Sequence, residues 1–114
     1  VAPAKIVVES DGVRITGQYG TTINGAEISS VEVEENIPRI VARMNGLGMG
    51  SIKKGYFTVE GYGRTRLFYD ASSEGPYIII TERSGMKTVY KSQSAQAAAA
   101  DAAAIGALIK QGQQ

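Results

Sequence analysis

Residues Asn45–Phe57, NGLGMGSIKKGYF, form a glycine-punctuated basic stretch between two β-like runs. A Walker phosphate loop needs G-x-x-x-x-G-K-[ST] before a helix, and a Rossmann fingerprint needs G-x-G-x-x-G at the start of one. In this chain Gly50 is followed by Ser51, and the stretch leads into Gly55–Phe57, which has the pattern of a strand. Both nucleotide motifs therefore fail in spacing and in context. We predict a glycine-rich connection between strands, in which the glycines supply positive φ angles.

Outward from this stretch, the first ninety residues consist of short runs separated by turn residues. Runs such as Lys5–Glu9, Arg64–Asp70 and Tyr77–Glu82 alternate or are rich in β-branched and aromatic residues, as is typical of strands. Closely spaced hairpins favour antiparallel pairing of sequential strands. We predict about seven short antiparallel strands between residues 5 and 91, with Tyr77–Glu82, the most apolar run, at the centre of a sheet.

The composition changes after Ser92, and alanine dominates as far as Lys110. Alanine has the highest helix propensity, and Ser92 or Ser94 can cap the first turn, so we predict a helix over about residues 93–110. The alternative is a low-complexity linker. Helical spacing of a set of apolar positions favours a helix packed on the core. These positions are Ala98, Ala102, Ile105, Leu108 and Ile109.

The order of elements indicates a mainly β fold. A sheet of this size with one apolar face must close into a barrel or fold into two packed layers, and a helix that comes last can cover an open end. The 114 residues fit one domain, which we place over 1–114.

Histidine and cysteine are absent, which excludes Ser–His and Cys–His mechanisms and zinc–sulfur sites. Carboxylate, lysine or tyrosine chemistry remains, but no catalytic constellation is visible, and we expect no enzymatic activity, no cofactor and no metal. The formal net charge is +1, and no dense basic helix or basic–aromatic interleaving occurs. We therefore expect no nucleic-acid binding.

Four pieces of the sequence resemble the bacterial pleckstrin-homology-like (PH-like) domain family. They are KIVVESDGVRITG, ISSVEVEENIPRIVARMNGLGMG, GYFTVEGYGRTRLFYD and YIIITERSGMKTVY, followed by the helix, and together they span about residues 5–110. The resemblance implies a PH-like barrel of about seven antiparallel strands with a C-terminal helix. Relatives that bind phosphoinositides use a basic pattern around a long first hairpin loop. The hairpin in this chain turns on Asp11-Gly12 and is short and acidic, so phosphoinositide binding is not carried over.

Domains of this kind are often the soluble part of small membrane-anchored proteins, so the resemblance implies a membrane-tethered domain. The chain opens Val1-Ala2-Pro3-Ala4 without an initiator Met. This opening is typical of a trimmed product and leaves open a removed N-terminal signal or anchor.

Two groups of charged residues are candidate sites. The first is a basic patch of Arg39, Arg43, Lys53 and Lys54, joined by Arg64 and Arg66 if the strands converge, which could bind an acidic peptide, lipid headgroups or, through a loop nest, another anion. The alternative is a solvated sheet face with each Arg paired to Glu32, Glu34 or Glu60 across strands. The second group is the carboxylates Glu32, Glu34 and Glu35, of which Glu32 and Glu34 lie about 6.5–7 Å apart on one strand face. It fits paired acids or a hard cation, and otherwise a solvated edge.

The leading hypothesis is a non-enzymatic interaction domain. It would bind a protein or peptide partner, or further copies of itself, through an exposed strand edge. Anionic lipid is a less favoured partner. The alternative is a small-molecule or lipid-binding barrel with a cavity lined by residues such as Val13, Ile15, Leu67, Ile78 and Ile80.

Overall fold

The computed structural model describes residues 3–113, and in this range it contains nine strands, one 3-10 turn (Gly25–Glu27) and one helix. Val1, Ala2 and Gln114 lie outside the described residues, and with them the start of the opening tetrapeptide and the last residue of the predicted domain. The strands are β1 (Ile6–Glu9), β2 (Gly12–Ile15), β3 (Thr21–Asn24), β4 (Ile28–Glu34), β5 (Ile40–Met49), β6 (Ile52–Val59), β7 (Gly63–Asp70), β8 (Tyr77–Glu82) and β9 (Lys87–Lys91), and the helix α1 is Ala95–Gly112.

The strands form two sheets, with orders β1-β2-β3 and β4-β8-β9-β7-β6-β5. The mainly β prediction with one C-terminal helix is confirmed, whereas the count of about seven strands is wrong. The expectation of antiparallel pairing throughout is also wrong, because β7 and β9 run parallel. The β8–β9 hairpin enters between β4 and β7 instead of adding at an edge. The six-stranded sheet is open, with β4 and β5 at its two edges, so it is not a closed barrel.

The interior position of the β8–β9 hairpin fits strand β8, whose middle residues are apolar on both faces. Ile78, Ile79 and Ile80 are all buried, although neighbours on a strand point to opposite sides of a sheet. Both faces of the sheet are therefore covered. Strand β8 lies second in the order, beside β4, and not at the centre as predicted.

One face of the six-stranded sheet, called here the packed face, lies against the three-stranded sheet and α1. Ile78 and Ile80 from this face share a core cluster with Val13 and Ile15 of β2. The hairpin that leads into β2 turns on Ser10 and Asp11, because Gly12 is already paired with Glu9. This shifts the predicted turn by one residue.

Helix α1 begins after Ser94, whose hydroxyl accepts a 3.0 Å hydrogen bond from the backbone N–H of Ala97. This is the capping interaction that the sequence predicts. The helix packs on β4, β1 and β2 through Ala98, Ile105 and Leu108, which are buried. The helical interpretation is confirmed, two residues later at each end than predicted, and the linker alternative is wrong.

Replacing Gly106 of α1 with alanine should stabilise the fold. A Cβ at Gly106 would meet nothing within 4 Å, so the only change is the lower conformational entropy of the unfolded chain and the better helix propensity. We expect Gly106→Ala to raise the free energy of unfolding by about 0.5–1 kcal/mol. Urea titration followed by far-ultraviolet circular dichroism measures this. An unchanged or lower midpoint would contradict the open space around the Cβ position of Gly106.

The other face of the six-stranded sheet is concave, and the chain crosses it. Residues 35–39 connect Glu34 at one edge to Ile40 at the other. The six Cα–Cα steps from Glu34 to Ile40 reach at most about 22 Å, whereas five strand spacings in a flat sheet already amount to about 24 Å. The sheet must therefore curve. Ile37, in the middle of this crossing segment, packs against the buried cluster of Leu67, Ile79 and Val89, which places the segment over the concave face.

The glycine-rich stretch proves to be a paired hairpin. Strands β5 and β6 are joined by the two-residue turn Gly50-Ser51, so the predicted connection is limited to these two residues. Gly46 lies directly opposite Gly55, whose φ is 117°. A Cβ on Gly46 would lie 2.3 Å from the carbonyl oxygen of Lys54. Glycine is therefore needed because the two backbones approach more closely than side chains allow.

Candidate functional site

Strand β5 is a long, exposed edge. It has ten residues and pairs with β6 on one side, and within residues 3–113 no strand pairs with its other side. Val41 and Met44 on this strand are 50% and 55% exposed, among the most exposed large apolar side chains of the described chain. An edge strand presents unpaired backbone N–H and C=O groups that can accept a further strand. Strand β5 is therefore the candidate site.

Two β-bulges in β5 decide which side chains lie on the concave face. The register shifts between Ile40 and Ala42 and again between Arg43 and Asn45. Ile40 pairs with Val59 and Arg43 with Phe57, and both Ile40 and Phe57 contact the concave-face cluster. Simple alternation in the sequence places Ile40 and Arg43 on opposite sides. The first bulge adds one residue to β5, so Arg43 points to the same concave face as Ile40.

A groove of about 370 Å³ runs along the concave side of this edge, and Arg43 and Lys53 are its two charged lining residues. Gly48 lies opposite Lys53 in the β5–β6 register. The Arg43 side chain folds over Gly48, because a Cβ built there would lie 3.5 Å from the Arg43 guanidinium and 3.9 Å from the Phe57 ring. Arg43 and Lys53 therefore line the same groove, beside a position that has no side chain of its own. We call this place the Gly48 notch.

The two cations of the Gly48 notch form no ion pair within residues 3–113. Three arginines elsewhere are ion-paired, as Arg14–Glu9, Arg39–Glu60 and Arg66–Glu82. In the part of the chain that the structure describes, neither Arg43 nor Lys53 lies within ion-pair distance of a carboxylate. An uncompensated pair of cations beside an open groove attracts anions.

Lys53 is held in place by an aromatic ring. Its ammonium lies 5.1 Å from the centre of the Tyr69 ring on β7, within the range of a cation–π contact. Lys91 of β9 has the same relation to Tyr77 of β8, at 4.8 Å. The two pairs belong to one row of side chains across the concave face, in which lysine and tyrosine alternate. The row restricts the Lys53 side chain without neutralising its charge.

The structure separates the other predicted patch residues from this pair. Arg39 forms an exposed ion pair with Glu60, with a 3.3 Å contact, which is one of the pairings that the sequence suggested. Lys54 is 2% exposed, because it follows Lys53 on the strand and points to the opposite, packed face. The patch is thus reduced to Arg43 and Lys53.

Arg64 and Arg66 do not join the Gly48 notch either. The Arg64 guanidinium stacks on the Tyr56 ring at 4.2 Å. Arg66 forms a 2.6 Å ion pair with the half-buried Glu82. Burial opposes the charge on Arg66, but hydrogen bonds to Tyr56 and Glu82 together raise its pKa. Its role is therefore to hold β7 to its neighbours.

The acidic candidates lie on the opposite edge of the sheet. Glu32 and Glu34 of β4 occupy the concave face opposite Ile79 and Tyr77. Partial burial raises the pKa of the Tyr62 hydroxyl, and the nearby Glu32 and Glu34 carboxylates raise it further. Among residues 3–113, no three acidic side chains come together in an arrangement that could hold a metal ion. Both side chains are exposed, so the pair lies at a solvated edge of the sheet, near Tyr62.

The residues proposed to line a ligand cavity are instead divided between the two faces. Val13, Ile15, Ile78 and Ile80 fill the cluster on the packed face and are at most 1% exposed. Leu67 belongs to the separate cluster on the concave face. The five side chains thus pack in two solid clusters and do not line one common cavity.

Sequence reasoning did not identify Gly48, Phe57 and Met44 as parts of the site. The available signal was the near symmetry of the stretch about Gly50-Ser51, which places Gly48 opposite Lys53 once a hairpin is assumed. No pattern in the sequence indicates the bulges, because they depend on how β5 pairs with β6.

No helix among the described residues has both the length and the apolar character needed to cross a membrane. Comparisons with protein-family models, with curated proteins and with solved structures gave no match. The geometry of the β5 edge is therefore the basis for assigning a function.

Proposed function

We propose that this chain is a non-enzymatic protein-interaction domain that binds an extended peptide segment along β5. The observation that carries the proposal is the long edge strand with one neighbour and two exposed apolar side chains, Val41 and Met44. In strand addition, main-chain hydrogen bonds supply affinity, and grooves beside the edge select side chains. The groove lined by Ile40, Arg43 and Phe57 is such a feature.

The bulges in β5 fit this role. A regular edge invites uncontrolled pairing, and bulges are one of the devices that limit it. Both bulges lie between Ile40 and Asn45, and from Asn45 to Met49 the pairing with β6 is regular. A short peptide can pair with the regular half and contact Val41 and Met44 in the bulged half, whereas the bulges oppose unlimited growth of the sheet.

We also propose that the architecture is a PH-like variant. The supporting features are a curved, mostly antiparallel sheet and a helix that comes last in the chain and packs on the core. The separate three-stranded sheet and the parallel β7–β9 pair depart from the expected single barrel. Under this proposal the domain is a scaffold for binding. A location next to a membrane is proposed only on the ground of the family resemblance.

The test is selection from a library of random nine-residue peptides, followed by synthesis of the enriched sequences. We expect them to bind and to slow hydrogen exchange of β5 amides, as measured by nuclear magnetic resonance. Replacing both exposed apolar side chains (Val41→Ser, Met44→Ser) should weaken binding about tenfold, because apolar area of the size of these side chains contributes about 1–2 kcal/mol.

Substitution of Val33→Ser on β4, which is also exposed and apolar, is the matched control and should leave peptide binding unchanged. Failure to enrich any peptide, or exchange protection at β4 in place of β5, would refute the proposed function.

A further inference from the structure

The Gly48 notch determines which peptide the β5 edge prefers. Arg43 lies over Gly48, Lys53 lines the same groove on the concave side, and the remaining residues that line the groove are uncharged. We propose that the preferred partner is an extended acidic peptide that places a Glu or Asp side chain over Gly48, between Arg43 and Lys53. This inference rests on the proposed function, because it assumes that the peptide pairs with β5.

The geometry of strand pairing brings such a side chain within reach. A residue directly opposite Gly48 on an added strand lies about 4.5–5.5 Å away, and its side chain points to the same face as the position it pairs with. That face carries Lys53, which lies opposite Gly48 on β6. Because Gly48 has no side chain, nothing on β5 stands between the incoming carboxylate and the two cations.

The two cations have different roles. The Arg43 guanidinium is planar and can donate two parallel hydrogen bonds to a carboxylate. Lys53 is a point charge steadied by the Tyr69 ring, and it adds attraction without a fixed geometry. Together they favour a carboxylate over its neutral amide analogue. A lysine at the same peptide position would be repelled by both.

Charge complementarity decides between possible occupants of the edge. The notch has two positive charges without an ion-pair partner among the residues that the structure describes, whereas the chain as a whole has a formal net charge of only +1. The attraction is therefore local and directional, and it suits a single acidic side chain held in register. A membrane surface would need a broader basic area, and the structure places Arg39 in an ion pair and Lys54 on the packed face.

The experiment uses the peptides enriched from the random nine-residue library. Each acidic peptide is compared with its Glu→Gln and Glu→Lys versions by fluorescence anisotropy, with the wild-type chain and with Arg43→Gln, Lys53→Gln and the double variant. We expect acidic residues to be enriched and the Glu→Gln peptide to bind about tenfold more weakly, since a hydrogen bond to a charged group is worth about that factor. The double variant should lose this preference while it still binds the Gln peptide.

Arg64→Gln removes the same charge from a different place on the sheet and is the matched control, which should keep the full preference. The preference should also shrink as salt is raised, because the site is open to solvent. Circular dichroism of each variant confirms that it is folded before binding is compared.

Three outcomes would overturn the inference and leave the proposed function in place. These are enrichment of peptides without acidic residues, equal binding of Glu and Gln peptides, and an equal loss of preference in Arg64→Gln. Binding to phosphatidylserine vesicles but to no peptide, or a concentration-dependent dimer abolished by the double variant, would replace the peptide with a lipid surface or a second copy and would also overturn it. If the library yields no peptide at all, the proposed function itself fails, whichever other occupant is found.

Discussion

Replacing Gly55 with alanine is expected to lower the free energy of unfolding by about 3 kcal/mol or more, through backbone strain and overpacking together. Gly55 has a φ of 117°, which residues with a Cβ rarely adopt. The added Cβ would also lie 2.6 Å from the carbonyl oxygen of Asn45 and 2.7 Å from the Cα of Gly46. Both are backbone atoms, so no rotamer change can relieve the contact. Domains of this size are usually stable by only about 5–15 kcal/mol, so the loss is a large fraction of the total.

Two further glycine variants separate the two causes. Gly61→Ala has a positive φ of 78° but open space around its Cβ, so it should cost about 1–2 kcal/mol from strain alone. Gly46→Ala carries the steric contact with the Lys54 carbonyl without a positive φ. Urea unfolding followed by tyrosine fluorescence and circular dichroism measures all three. A urea unfolding midpoint of Gly55→Ala equal to that of Gly61→Ala would contradict the close approach of the β5 and β6 backbones at Gly55.

Truncation of Ile105 to alanine should cost about 2–5 kcal/mol, the range for removing a large aliphatic side chain from a core. Ile105 is completely buried and belongs to the same cluster as Ile28 and Ile80. Most other positions of α1 are alanine or polar, so the helix has few side chains with which to hold the sheet. Loss of Ile105 therefore removes much of the apolar contact between the helix and the core.

Ile109→Ala is the matched control on the same helix, because Ile109 is only partly buried and packs at the margin of the cluster. It should cost clearly less than Ile105→Ala. Equal costs for the two variants, or a cost below about 1 kcal/mol for Ile105→Ala, would contradict the docking of α1 on β4 and the three-stranded sheet, given the usual range for buried aliphatic truncations.

The parts of the fold that depend on one chain segment were predictable. Tyr77–Glu82 is a strand with the predicted bounds, and α1 follows from its alanine content and the serine cap. The glycine-rich stretch was misassigned, because glycine usually signals a loop. The reason for glycine at Gly46 and Gly55 lies in the contact between them, which exists only after the two strands have paired. The parallel β7–β9 pairing was also not predictable, since the local sequence pattern of a strand does not show which strand it pairs with.

The candidate site was likewise predictable where it depends on one segment and not where it depends on contacts between strands. The sequence picked out Arg43 and Lys53 within a group of four basic residues. Alternation along a strand would have separated Lys53 from Lys54 had residues 52–59 been recognised as a strand, because adjacent side chains face opposite ways. The convergence of Arg43 on Gly48 depends on the bulges in β5, which arise from the fit between two strands.

The interior position of the β8–β9 hairpin has a consequence for the order in which the chain can assemble. Strand β4 has β8 as its partner in the sheet, and β7 reaches β4 only through β9 and β8. While residues 77–91 are still being synthesised, the earlier strands can form the β1–β3 sheet and the β5–β6–β7 meander, but β4 has no strand beside it. Insertion of the last hairpin must then join the two halves in one late step, which requires pairing between distant segments, and such topologies fold slowly. Until that step is complete, β4 and β7 are both open edges, and the nascent chain is most exposed to wrong pairing just before its final strands emerge.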